Sequence, residues 1–166
     1  MSYLTLAARY RSLGHWDEAR AVCRNAATQH LDSAGCHKEL YRIAFFEGDE
    51  AEMQRQVEWA RGNIEEHLMR SFESSAAAMR GRFRSARAQA LEGVDMAMRR
   101  RLTQAAADAL ARLAAREAYV DNAALTRERV AEALALDQSP EALIQAAQVL
   151  GMSGDASRAS ARSWTA

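Results

Sequence analysis

A short pattern recurs along this chain at steps of about 34 residues, and a repeat of that length leaves few folds open. Gly14-His15-Trp16-Asp17-Glu18-Ala19 is followed by Cys23 and Ala26; one step later Gly48-Asp49-Glu50-Ala51-Glu52-Met53 is followed by Val57 and Ala60. A third copy starts at Gly81, with Ala86 and Ala90 in register. After a longer step, Asp121-Asn122-Ala123 takes the Gly position ahead of Thr126, Val130 and Ala133, and at the ordinary spacing beyond it Gly154-Asp155 leads to Ala159.

Each copy has the same physical logic. A helix ends at a residue that can turn left-handed, and the next helix starts within two or three residues under acids suited to a helix N-terminus. The pattern predicts helices over 3–13, 16–30, 37–47, 50–61, 65–80, 83–99, 101–119, 123–136 and 140–152, with a short further helix from about 155. Ser139-Pro140-Glu141 is a strong start, with Ser as N-cap and Pro at the first helical position. Composition agrees with helices that pack closely. The chain holds 37 Ala and a single Pro among 166 residues, so large apolar side chains are few, and small ones let helix axes approach.

A period of this length in paired helices resembles the tetratricopeptide repeat. Tyr3, Leu6, Ala7, Tyr10, Gly14, Ala19, Cys23 and Ala26 stand where that family places an aromatic, Leu, a small residue, an aromatic, Gly, Ala, an aromatic and Ala. Leu31 stands in place of the closing Pro, and the fourth copy lacks its turn Gly. The resemblance implies an all-α, right-handed α-solenoid of four helical pairs plus a partial fifth, one repeat domain over 1–166 with repeats near 2–34, 35–67, 68–100, 101–138 and 139–166. The run from Glu39 to Asp49, Met53 to Trp59-Ala60, and Arg127 to Leu136 before Ser139-Pro140 look like the tetratricopeptide region of bacterial serine/threonine kinases and winged-helix regulators. This implies a sensor or scaffold segment in signalling. The chain has no Gly-rich phosphate loop, HRD or DFG sequence that would make it a kinase.

In such repeats the first helix of each pair lines a concave groove that holds a peptide or a partner's helix. By register the groove positions are Ala8, Arg11 and Ser12; Lys38, Arg42, Phe45 and Phe46; Ser71, Ser75, Ala78 and Met79; and Asp108, Ala111, Ala115 and Tyr119. Arg11, Lys38, Arg42, Phe45 and Tyr119 are the expected partner anchors, since cations orient a partner's carboxylates while aromatics supply area at low entropic cost. The alternative for Phe45 and Phe46 is packing between hairpins.

Charge adds a second candidate. The 22 basic and 22 acidic residues cancel, so net charge singles out no polyanion binder, yet Arg80, Arg82, Arg84 and Arg87 cluster, with Arg99, Arg100 and Arg101 at the next turn. They could hold phosphates, with Phe83 stacking on a base. Pairing with Glu73, Glu92, Asp95 or Asp108 is the competing use, and nucleic acid is the less favoured partner. A regulatory segment that dimerises within a larger protein is another reading, because Val149, Leu150 and Met152 would form an exposed apolar strip on the last helix.

Catalysis is not expected. His15, His30, His37 and His67 fall on different turns, Cys23 occupies a repeat core position, and Cys36 beside His37 has no evident third partner. Neither a paired CxxC nor an HxxxH occurs, so no metal or other cofactor is expected. With no opening signal sequence or membrane-length apolar run, the expected compartment is the cytoplasm.

Overall fold

A computed structural model describes residues 2–31 and 33–154, and the described residues are all-helical with no strand. In chain order the helices are α1 (Tyr3–Ser12), α2 (Trp16–Thr28), α3 (Ala34–Glu47), α4 (Glu50–Ala60), α5 (Glu66–Met79), α6 (Phe83–Arg99), α7 (Thr103–Tyr119), α8 (Ala123–Leu136) and α9 (Pro140–Met152). The helix expected from about 155 lies outside the described residues.

Local chemistry sets these boundaries. Ser2, Ser33, Asp49, Asn122 and Ser139 each accept the backbone N–H three residues on, at 2.9–3.4 Å, which satisfies a donor that the first turn leaves open. Ser33 starts α3 three residues before the predicted position. That early turn includes Gly35, where a Cβ would sit 2.6 Å from a Leu4 methyl, so the missing side chain lets α1 and α3 come together.

The opposite ends share one device. Gly14, His30, Gly48, Gly81, Arg101 and Asp121 all have φ between 57° and 79°. In each case the next residue's N–H reaches back five positions, as in His15 to Tyr10, Leu31 to Ala26, Asp49 to Ala44, Arg82 to Ala77, Leu102 to Ala97 and Asn122 to Glu117, at 2.8–2.9 Å. This is the Schellman closure, which satisfies an orphan carbonyl while reversing the chain.

The chain divides into two compact units, one up to Phe72 and one from Glu73, with the boundary inside α5. In the first, α1 packs on α2 and α3, α2 on α3, and α3 on α4. Ala7, Cys23, Ala26 and Cys36 form a buried cluster there, flanked by Tyr3, Val22 and Leu40. In the second, α7 packs on α6, α8 and α9, and α8 on α9. Val94, Ala97, Ala106, Ala109, Leu110 and Ala133 form one of its clusters.

The recurring sequence positions are positions of burial. Five residues after each turn, Ala19, Met53, Ala86 and Thr126 are all buried; nine after, Cys23, Ala90 and Val130 are buried and Val57 half-buried. Thr126 can occupy this place because its hydroxyl donates to the Asn122 carbonyl at 2.9 Å.

The expected apolar strip on α9 is corrected by the structure. Val149 and Leu150 are buried in a cluster with Ala114, Ala118, Val130, Leu134 and Ala146, because α7 and α8 already cover that face. Of the three residues only Met152 is exposed.

Candidate functional site

In the first unit the predicted cations meet around an acid that register alone did not single out. Glu39 on α3 is 4% exposed, and burial of a bare carboxylate is costly unless it is paired. Arg11 of α1 donates through Nε to Glu39 Oε2, and Arg42 donates through Nη1 to Oε1 at 2.6 Å. The Arg42 guanidinium also lies 4.6 Å above the Phe72 ring, which packs tilted against Tyr41 at 6.3 Å. One carboxylate and one ring therefore fix the orientation of both guanidiniums, and each retains an accessible edge.

Lys38 lies one helical turn before Arg42 on the same face of α3, is half-buried, and has no ion-pair partner among the described residues. Its charge is the uncommitted one on this face. Phe45 follows one turn on, half-buried, with its ring edge-on to Phe46 at 5.6 Å. Phe46 is exposed and stacks on Trp16 at 6.0 Å, so the aromatic pair is shared between surface and hairpin packing.

A separate ion pair closes the same unit. Arg20 of α2 donates to both carboxylate oxygens of Glu47 on α3, at 2.6 and 2.9 Å, and to Asp17 at 2.8 Å. The Arg20 guanidinium holds the Glu47 carboxyl below its ordinary range, and Glu47 in turn raises Arg20.

The second unit repeats that clamp. Arg87 stands six residues after its turn Gly, as Arg20 does, and donates through Nε and Nη2 to the two oxygens of Glu117 on α7, both at 2.8 Å. Asn122 adds a third donor at 3.1 Å, and Glu117 is 4% exposed. Arg87 is thus tied into packing by a residue outside the four acids weighed from sequence. Arg80, Arg82 and Arg84 remain exposed around the α5–α6 turn, beside exposed Met79 and Phe83.

Tyr119, the remaining predicted anchor, is 78% exposed at the end of α7. Two other groove positions of the same helix, Asp108 and Ala111, line a pocket of about 20 Å³ with residues of α8 and α9. That pocket escaped the sequence reading because Val130, Ala133 and Leu134 form part of its wall from the second helix of the pair.

The His and Cys residues are used locally. The His37 ring stacks on Trp59 at 3.5 Å and its Nδ1 lies 2.5 Å from Gln56 Oε1; His67 Nδ1 donates to the Ile64 carbonyl at 3.0 Å. Cys23 Sγ donates to the Cys36 carbonyl at 3.7 Å, and both cysteines are buried and outside any disulfide. Among the described residues no three His, Cys, Asp or Glu side chains gather as a metal set, and no helix is long and apolar enough to cross a membrane. No family model matches this chain, nor does any curated protein.

Proposed function

We propose that the chain is a tetratricopeptide-like, right-handed α-solenoid that works as a non-catalytic protein-interaction module in a cytoplasmic signalling or regulatory protein. Its first unit takes an acidic peptide or partner helix on the face formed by Arg11, Lys38, Arg42 and Phe45. The observation that carries this reading is the Glu39 arrangement: a buried carboxylate and the Phe72 ring hold two part-exposed guanidiniums in place while Lys38 stays unpaired beside them. Preorganised cations lose little side-chain entropy on meeting a carboxylate.

Lys38→Glu is the cleanest test, because Lys38 holds no partner whose loss would disturb the fold, whereas Arg42→Glu also strips Glu39. A fluorescein-labelled nonapeptide of alternating Glu and Ala with Leu at its centre should bind by anisotropy. Lys38→Glu should weaken it about tenfold, and Lys38→Glu with Arg42→Glu should abolish it, with the helical circular dichroism of each variant retained. Unchanged affinity rejects this face.

A second reading rests on Arg82, Phe83 and Arg84, all exposed at the start of α6, where no side chain caps the helix and no acid occupies its first turn. Such a tip suits phosphates. Binding of oligodeoxythymidine that fails to weaken steeply from low to moderate salt eliminates it.

A further inference from the structure

The groove positions assigned to the first unit include three cations, Arg11, Lys38 and Arg42, whereas those on α7 include one charged residue, the acid Asp108. In the second unit the pocket among α7, α8 and α9 has an apolar floor of Ala107, Ala111, Val130, Ala133, Leu134 and Val149. At about 20 Å³ it admits one methyl-sized group. Its polar lining consists of Asp108, Asp137 and Gln145, so no cation borders it.

These acids are not neutralised in place. Asp108 is exposed and holds no ion pair among the described residues; Arg112, one turn along, attracts it without closing on it. Asp137 accepts the Ser139 N–H at 2.9 Å and the Ser139 hydroxyl at 3.1 Å, which orients the carboxylate and brings no cation to it. Glu141, exposed one turn before Gln145 on the same face of α9, adds a third negative charge. On the helix faces that line the pocket, three carboxylates stand against Arg112 and Arg127, the latter one turn before Val130, so the surround of this apolar pocket keeps a net negative charge.

We propose that this pocket seats one methyl group, the side chain of Ala or one branch of Val, of a partner segment that places Arg or Lys within a turn on either side of it. The pocket's volume sets the anchor's size, and the carboxylates at its edge set the sign of the flanking residues. The proposal rests on the interaction-module reading only in taking the ligand to be a polypeptide, and its residues are separate from Arg11, Lys38 and Arg42.

The probe is a fluorescein-labelled nonapeptide of alternating Arg and Ala with Val at its centre, read by anisotropy against the 166-residue protein. It should bind saturably, and the Glu-Ala peptide should not displace it. Asp108→Asn combined with Asp137→Asn keeps the shapes and one of the two acceptor oxygens that Asp137 offers Ser139, and should weaken binding about tenfold. Ala111→Leu, which adds volume at a half-buried lining residue, should weaken it with the charges intact. Unaltered affinity in both variants, or no saturation at millimolar protein, overturns the proposal. So does a concentration-dependent dimer in sedimentation velocity that Ala111→Leu dissolves, because a second copy would then own the face. Failure of the acidic peptide with Lys38→Glu unaffected would instead count against the first unit alone.

Discussion

The unit up to Phe72 and the unit from Glu73 start from the same repeated hairpin and stabilise it by different means. The first uses polar and aromatic contacts: Glu39 under two guanidiniums, Arg42 on Phe72, His37 on Trp59, and a buried cluster half made of cysteine. The second relies on Ala against Ala with a few Leu and Val, and commits one buried acid, Glu117, to a single guanidinium. Small side chains have no alternative rotamers with which to fill a gap, so the second unit should tolerate loss of volume poorly. The first, with its charges shared among several partners, should tolerate loss of one charge better.

The largest expected effect tests the first half of that contrast. Leu110 is 3% exposed in a cluster otherwise made of Ala and Val, so Leu110→Ala should cost about 4 kcal/mol, measured by urea denaturation. Cys23→Ala, in the cluster of the first unit, should cost about 1 kcal/mol. Equal costs would remove the distinction in packing. Next in size is the charge test. Arg87→Met leaves Glu117 buried with only Asn122 as side-chain donor and should cost about 3 kcal/mol. Arg11→Met leaves Glu39 with Arg42 and should cost about 1 kcal/mol.

The contrast between units was not legible in the sequence, which reads as one repeat domain over 1–166, but the turns and one face of α3 were, and what was missed has a common cause. Register located Gly14, Gly48, Gly81 and Asp121 at the turns, and it put Lys38, Arg42 and Phe45 on one face of α3, because both depend on spacing within a helix or between copies. Glu39 and Glu117 were missed as partners because an ion pair between hairpins depends on the relative rotation of two helices, which no local pattern encodes. Val149 and Leu150 were misplaced for a related reason. Their periodicity marks an apolar face of α9 but not which earlier helices already cover it. His30 and Arg101 were hidden because neither residue type signals a left-handed backbone, whereas Gly does.

A smaller effect separates the clamps by pH. The Glu47 carboxyl lies below its ordinary value of 4.5 in the folded chain because Arg20 donates to both its oxygens. A carboxylate depressed by folding contributes stability that is fully present above the unfolded value and is lost as pH falls through the folded one. On the scale of partly exposed pairs this amounts to about 0.5–1 kcal/mol. Thermal melts of the parent and Glu47→Gln should therefore differ at pH 7 and converge as the pH falls below 4.5 and through the lower folded value. A constant difference across that range would mean that Glu47 acts through packing and not through charge.

The smallest effect concerns the turns themselves, where the units again differ. The tips of the first unit's hairpins are Gly14 and Gly48, while the second uses Gly81 and then Asp121 at φ 58°. A side chain in that region meets its own carbonyl, a cost of about 1–2 kcal/mol that Asp reduces by local hydrogen bonding and Gly avoids. Glycine in turn gives the unfolded chain more freedom to lose, about 0.5–1 kcal/mol. The balance favours Asp121→Gly by about 0.5 kcal/mol, provided that Asp121 contributes nothing else. The side chain is exposed and holds no hydrogen bond or ion pair among the described residues, and the turn's closing bond from the Asn122 N–H to the Glu117 carbonyl belongs to the backbone. A small rise in the denaturation midpoint, with no change in slope, is the expected outcome. A fall would show that Asp121 supports the α8 start electrostatically, where an acid ahead of Asn122 faces the positive end of the helix. In that case the fourth turn gave up its glycine for a charge, and the hairpins of the two units differ in how they begin their second helices as well as in how they pack.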